Sequence, residues 1–229
     1  MPDSTTQQIA QLFSYYNLLL LLEGFGTTLA LSAIGCLAGF AGGFVIAVLR
    51  VTRSRAAAPL RVLAFVWCML FRRVPFLVTL MLVFFVTQSL GANFSTFTVA
   101  LASVCLIASA YLGEIVRSGL EAVHSTQWEA AQTMNFTFVQ TLRHVVMPQA
   151  WRVILPPTFA FFVMFIKDTA LASQIGVMEL TSAGKVLSNK GFSAMMVYGS
   201  VLVLYFVMSY PLSRLGKRLE NNFAATRNR

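Results

Sequence analysis

A backbone amide or carbonyl left unpaired in hydrocarbon is so costly that only helices, or strands closed into a barrel, cross a bilayer. Five stretches of this chain, 27–49, 62–87, 94–113, 157–175 and 195–212, are apolar over about the 20 residues that a spanning helix needs, about twice a barrel strand. The expectation is therefore an all-α integral membrane protein with about five transmembrane helices. Composition agrees: 57% of residues are hydrophobic and 11% charged, with a mean hydropathy of +0.73, outside the range of soluble domains. A length of 229 residues implies one domain, 1–229. The net charge of +9 does not point to nucleic acid, because the basic residues sit at the ends of apolar runs rather than along a polar face. A membrane surface explains them better.

Charge placement sets the expected orientation. Residues 1–17 carry no lysine or arginine, and Tyr15 and Tyr16 suit a membrane interface. No basic segment precedes an apolar core there, so no cleavable signal peptide is expected. Glu23 and Gly24 interrupt the apolar character ahead of the first span. Arg50, Arg53, Arg55 and Arg61 crowd the loop after it, and Arg214, Lys217, Arg218, Arg227 and Arg229 follow the last. Lys and Arg favour the cytoplasmic side, so the N-terminus is expected outside and the C-terminus inside. Residues 88–93 read as an outer turn, and 181–192 as an outer loop or partial helix.

Within the spans, several features break the pattern. Gly35, Gly39 and Gly43 recur every four residues and clear one helix face, either for general packing or for a subunit seam. Phe71-Arg72-Arg73-Val74-Pro75 lies in the middle of the second apolar run. Charge and a missing amide at that place imply a discontinuous helix facing protein or a water-filled cavity, or else arginines that snorkel from a shorter helix. Glu114 and Arg117 can meet at a helical spacing of three. Lys167 and Asp168 are adjacent and so point apart on a helix, each towards another partner. Cys36, Cys68 and Cys105 are widely spaced within apolar runs, which indicates packing rather than a disulfide framework or a metal site.

Residues 124–157 are neither apolar enough to span nor disordered in composition. Thr126 and Glu129 have capping-box spacing, which predicts a helix from about Gln127, with Ala130 and Ala131 as good helix formers and Asn135 as a left-handed terminator. Thr137 and Gln140 repeat the box. A second helix then places Phe138, Leu142 and Val145 on one face, and Pro148 should end or kink it. Two capped helices with a basic edge of Arg143, His144 and Arg152 read as a docking surface or as an ordinary amphipathic connection.

Glu129-Ala130-Ala131 followed by Val146-Met147-Pro148-Gln149-Ala150 resembles the EAA loop of ABC importer permeases. Tyr111-Leu112-Gly113-Glu114, Arg117-Ser118-Gly119, Gln127 and Lys167-Asp168-Thr169-Ala170-Leu171 narrow the likeness to the polar amino-acid permeases of the histidine, glutamine and glutamate type. The resemblance extends from about Glu23 to Arg218. The chain departs from that pattern at Thr126 and Asn135, where glycine is usual, and at Arg73, which adds a second charge. The resemblance implies a cytoplasmic two-helix coupling loop over 124–157 that engages ABC ATPase subunits through Thr126, Gln127, Glu129, Ala130, Ala131, Asn135, Pro148 and Gln149. It further implies a transport pathway beside Arg72, Arg73, Pro75, Lys167, Asp168 and Thr169, the last three at a helix break; a structural ion-pair network is the alternative for Lys167 and Asp168. The implied partners are a second permease subunit, identical or homologous, a periplasmic or lipoprotein solute-binding protein, a polar amino acid, and the lipid of a bacterial inner membrane.

No glycine-rich loop ending in Lys-Ser or Lys-Thr occurs, so no cofactor is expected on this chain, with ATP and Mg used by the partner. No His-Glu-x-x-His or paired intramembrane carboxylates suggest an enzyme. The resemblance further implies a neutral or acidic substrate, since basic-amino-acid members of that family carry polar or acidic residues where this chain has Phe159-Ala160-Phe161-Phe162, and Arg72 and Arg73 add positive charge. A self-contained secondary transporter or channel is the alternative, though such proteins usually carry an internal repeat, which is not evident here. A passive membrane anchor is the third reading.

Overall fold

The computed structural model describes residues 11–52 and 54–227. Expectations for residues 1–10, for Arg53 and Arg229 and for the Arg227 side chain lie outside the described residues. Those described are helical, without a strand. The helices are α1 (Tyr15–Val51), α2 (Ala58–Phe71), α3 (Phe76–Ser89), α4 (Thr96–Glu121), α5 (Ser125–Thr133), α6 (Phe138–Thr141), α7 (Met147–Asp168), α8 (Leu180–Asn189) and α9 (Ala194–Arg227). A π-helical turn (Leu142–Val146) joins α6 to α7, and a 3-10 helix (Thr169–Ile175) continues α7.

Four helical segments are long and apolar enough to cross a membrane: Tyr15–Val51, Thr96–Glu121, Phe138–Ile175 and Ala194–Phe223. The pair α2 and α3, bent by 110° at its break, makes a fifth if counted as one broken span. This agrees with the expected five. The break is where Phe71-Arg72-Arg73-Val74-Pro75 predicts it, because Pro75 has no amide to donate and the chain leaves the helix at Arg72.

The bounds differ from expectation in three places, each for a local reason. Glu23 and Gly24 do not interrupt α1, because in a helix Glu23 is exposed and the bare Gly24 faces protein. The fourth span does not begin at Pro157. Pro156 and Pro157 lie inside α7, which neighbouring groups permit in membrane helices. Pro148 does not end the second loop helix either: the amide of Met147 reaches back to the Leu142 carbonyl, and this wider π-turn carries the chain past the proline.

The chain forms two compact units. One comprises Met1–Gly35, Phe76–Val104 and Met164–Pro211. Its core includes Leu12, Leu21, Leu180, Ala183, Leu187 and Val197. Residues 181–192, expected as a loop or partial helix, contain most of α8. Gly24 lets α1 approach α8 so closely that a Cβ there would stand 3.0 Å from the Leu180 Cα, and the Leu180 amide donates to Thr28 Oγ1 at 3.1 Å.

The other unit comprises Cys36–Pro75, Cys105–Val163 and Leu212–Arg229. Ala47, Val116, Leu120, Val146, Ala150 and Ile154 are fully buried together. The glycine stripe of α1 packs on α4 of the same chain: a Cβ at Gly39 would meet Ala108 Cβ at 2.4 Å, and one at Gly43 would meet the Gly113 amide nitrogen at 2.6 Å. Of the two uses the sequence allowed, helix packing within the chain is the one observed. Cys36 and Cys68 are buried and Cys105 half-buried, and none of the three is in a disulfide.

Candidate functional site

The loop between α4 and α7 is an ordered elbow, built from local capping and an apolar underside. Its first helix starts two residues earlier than expected. His124 is the N-cap, its Nδ1 accepting from the Thr126 amide at 3.4 Å and lying 2.9 Å from the Thr126 hydroxyl. Thr126 is thereby already inside the helix, and the Thr126–Glu129 box does not form. Asn135 is left-handed as expected, with φ 56. The Thr137–Gln140 box is complete: the Thr137 amide donates to Gln140 Oε1 at 2.8 Å and the Gln140 amide to Thr137 Oγ1 at 3.3 Å.

Trp128 stacks on Phe138 at 6.2 Å between centroids, and Leu142 is buried with Phe138 and Val145 against the same cluster. Gln149 Nε2 donates to Gln127 Oε1 at 3.3 Å, tying the start of α5 to α7. The elbow is thus fixed at both ends.

Its outer face displays Thr126, Gln127, Glu129, Ala130, Asn135, Pro148 and Gln149, all exposed. Ala131 is the exception, since it is buried in the underside. Arg143, His144 and Arg152 are exposed along the edge, and Met134 and Val139 add apolar surface.

A second constellation in the same unit is centred on Glu114. Its Oε2 accepts from Arg50 at 2.5 Å and lies 3.2 Å from Arg72, while Oε1 pairs with Arg117, which also reaches Glu121. The Arg72 side chain is 41% exposed. Its guanidinium lies 5.8 Å from the Tyr111 ring centroid, and Tyr111 Oη donates to the Arg72 carbonyl, freed by the break, at 3.1 Å. Arg73 and Pro75 are exposed beside it. The spacing of Glu114 and Arg117 was readable in the sequence; the parts of Arg50 and Tyr111 were not, because nothing local marks partners 64 and 39 residues away.

The remaining pathway candidates belong to the other unit. Lys167 is exposed and Asp168 half-buried. Neither makes an ion pair among the described residues, unlike the partnered arrangement expected of them. Thr169 is fully buried, donates to the Ile166 carbonyl at 2.7 Å and lies 3.5 Å from the Ser32 hydroxyl. The helix changes character at this point, from α to 3-10, and ends on left-handed Gly176 with φ 84.

In that unit Glu179, which sequence reasoning missed, is fully buried. It caps α8 by accepting from the Thr181 and Ser182 amides at 2.8 and 2.7 Å and from Tyr205 Oη at 2.9 Å. Burial pushes its carboxyl above the ordinary range, against the downward pull of these bonds. The two serviceable signals were its place just before Thr181-Ser182 and the helical pattern behind it.

Several spanning helices, one of them broken beside an arginine cluster, and a capped two-helix elbow between spans describe a polytopic membrane protein with a rigid exposed connector. The chain belongs to the family of binding-protein-dependent transport system inner membrane components, whose model matches residues 39–221. It is 32% identical over 203 residues to the probable amino-acid ABC transporter permease protein YckA of Bacillus subtilis, covering 89% of this chain and 88% of that one. It is 31% identical to the glutamine transport system permease protein GlnP of Escherichia coli, covering 88% and 91%. An amino acid ABC transporter crystallised with histidines shares the fold at a TM-score of 0.83 and 27% identity, over 97% of this chain and all of that one. The chain is accordingly an ABC transporter permease of the amino-acid group, a multi-pass membrane protein.

Proposed function

We propose that this chain is the transmembrane subunit of an ATP-driven ABC importer that takes up a polar amino acid delivered by an external solute-binding protein. The whole chain, 1–229, is one permease domain in a bacterial inner membrane, N-terminus outside and C-terminus inside. A second permease subunit, identical or homologous, completes the pathway. The chain holds no cofactor and hydrolyses nothing; ATP and Mg are used by separate ATPase subunits.

The observation that carries this reading is the elbow. Gln127, Glu129 and Ala130 are presented on a helix that is capped by His124, stacked through Trp128 on Phe138 and bonded through Gln127 to α7. A floppy connection would absorb a push, whereas this one passes it to a helix of 22 residues. Thr126, Gln127, Glu129, Ala130, Asn135, Pro148 and Gln149 meet the ATPase, and Ala131 supports them from beneath. Arg72, Arg73 and Pro75 in one unit, and Lys167 and Asp168 in the other, with the buried Thr169 behind them, are the residues assigned to transport.

The test is to purify the tagged chain from its own membrane in mild detergent and identify what accompanies it. An ABC ATPase should copurify with the wild type and be lost from Glu129→Lys and Ala130→Trp. Isolation of the chain alone, with transport intact in vesicles free of ATP, would sink the reading.

A further inference from the structure

The unit containing the elbow holds a half-open pocket of about 580 Å³ whose charges do not balance. Arg50, Arg72, Arg73 and Arg117 line it against the single carboxylate of Glu114. Glu121, outside the lining, takes part of Arg117. Four guanidinium groups against those two carboxylates leave an excess of two positive charges. The aromatic walls, with Phe65 5.6 Å from the Arg50 guanidinium and Tyr111 5.8 Å from that of Arg72, offer no countercharge.

Glu114 is also saturated: its two oxygens offer about four lone pairs, taken by one contact each from Arg50 and Arg72 and two from Arg117. A guanidinium can hold a carboxylate by a two-pronged bond of its own, yet three of them share the two oxygens of Glu114. Arg72 has the longest of these contacts, at 3.2 Å, and is the most exposed of the three arginines. Arg73 makes no ion pair among the described residues. A cationic pocket with low-dielectric walls concentrates field and draws in anions, and this volume lies within the ordinary range for small-molecule sites.

We propose that this cavity binds an acidic amino acid. The side-chain carboxylate is received by Arg72 and Arg73, and Glu114 is an internal stand-in that holds Arg72 until the substrate carboxylate replaces it. Glu114 then remains paired with Arg50 and Arg117. An acidic amino acid, with one net negative charge, halves the excess; glutamine would leave it whole, and arginine or lysine would add to it. This rests on the importer reading and narrows its substrate from polar to anionic.

The test measures equilibrium binding of radiolabelled glutamate to the tagged chain, purified with the partners it retains but without solute-binding protein, so that selectivity belongs to the membrane subunit. Saturable binding should be displaced by aspartate, at least about tenfold less well by glutamine, and not by arginine. Arg73→Gln breaks no ion pair, and a thermal melt checks that it folds. It should weaken glutamate at least about tenfold while changing glutamine by less than about threefold. Glu114→Gln should tighten glutamate. Displacement by arginine as effective as by aspartate, or unchanged glutamate binding in folded Arg73→Gln, would overturn the proposal. So would the absence of glutamate binding, or tightly retained phosphatidylglycerol in native mass spectrometry that glutamate does not displace. The presence of the ATPase in the same preparation is scored separately, so the importer reading stands or falls on its own.

Discussion

Glu179 is a fully buried carboxyl group with no ion-pair partner among the described residues, held by two backbone amides and a tyrosine hydroxyl. Losing an N-cap costs about 1 kcal/mol, and each donor stranded in a buried site about 1–3 kcal/mol more. Glu179→Ala should therefore lower the melting temperature in detergent by several degrees. Glu179→Gln should cost less, since a neutral side chain of the same shape suits a site where burial already disfavours the charge. At Gly43 an added Cβ would meet backbone, 2.6 Å from the Gly113 nitrogen and 2.9 Å from the Ser109 oxygen, whereas one at Gly26 would meet nothing within 4 Å. Gly43→Ala should destabilise by about 1–3 kcal/mol, the usual range for overpacking, and Gly26→Ala should be neutral in the same melt. The stripe of glycines was visible in the sequence; which helix it faced was not, because spacing gives a face but no partner.

The elbow shows where local reading succeeds and where it is overtaken. The Thr137–Gln140 box was legible because both halves lie within one turn and nothing competes with them. The Thr126–Glu129 box was equally well spelled, yet the His124 ring supplied an earlier cap. Of the two outcomes expected at Pro148, an end or a kink, the end does not occur: a proline forbids one hydrogen bond, and the chain answers by widening the preceding turn rather than stopping. Asn135 closes α5 in the left-handed region, where any residue with a Cβ except asparagine or aspartate is strained. Asn135→Gly should therefore leave the stability of the fold unchanged or slightly raised, while Asn135→Ala lowers it by about 1 kcal/mol. Both are readable by thermal denaturation, and only the alanine variant should also reduce ATPase copurification.

For the whole molecule, the apolar runs were enough to give the number of spans, since membrane solvent leaves a helix little choice. They understated the lengths, because the ends of α1, α7 and α9 are too polar to register as apolar runs and are nonetheless helical. The arginine cluster was legible only as an oddity. Its meaning depends on Glu114, 42 residues beyond Arg72. The proposed orientation has a direct test: green fluorescent protein fused after Arg229 should fluoresce, and alkaline phosphatase fused there should be inactive. Active phosphatase would reverse the topology.

The contact between α1 and α4 at Gly39 and Gly43 has a mechanical consequence. Where Ala108 and the Gly113 backbone already touch the neighbouring helix, a slide by one residue, about 1.5 Å, would drive main chain into main chain. The two helices there behave as one strut, without play. Any change of shape needed to pass a solute must be taken up where the regular α-helix is interrupted, at the break between Phe71 and Phe76 and at the change to 3-10 helix after Asp168.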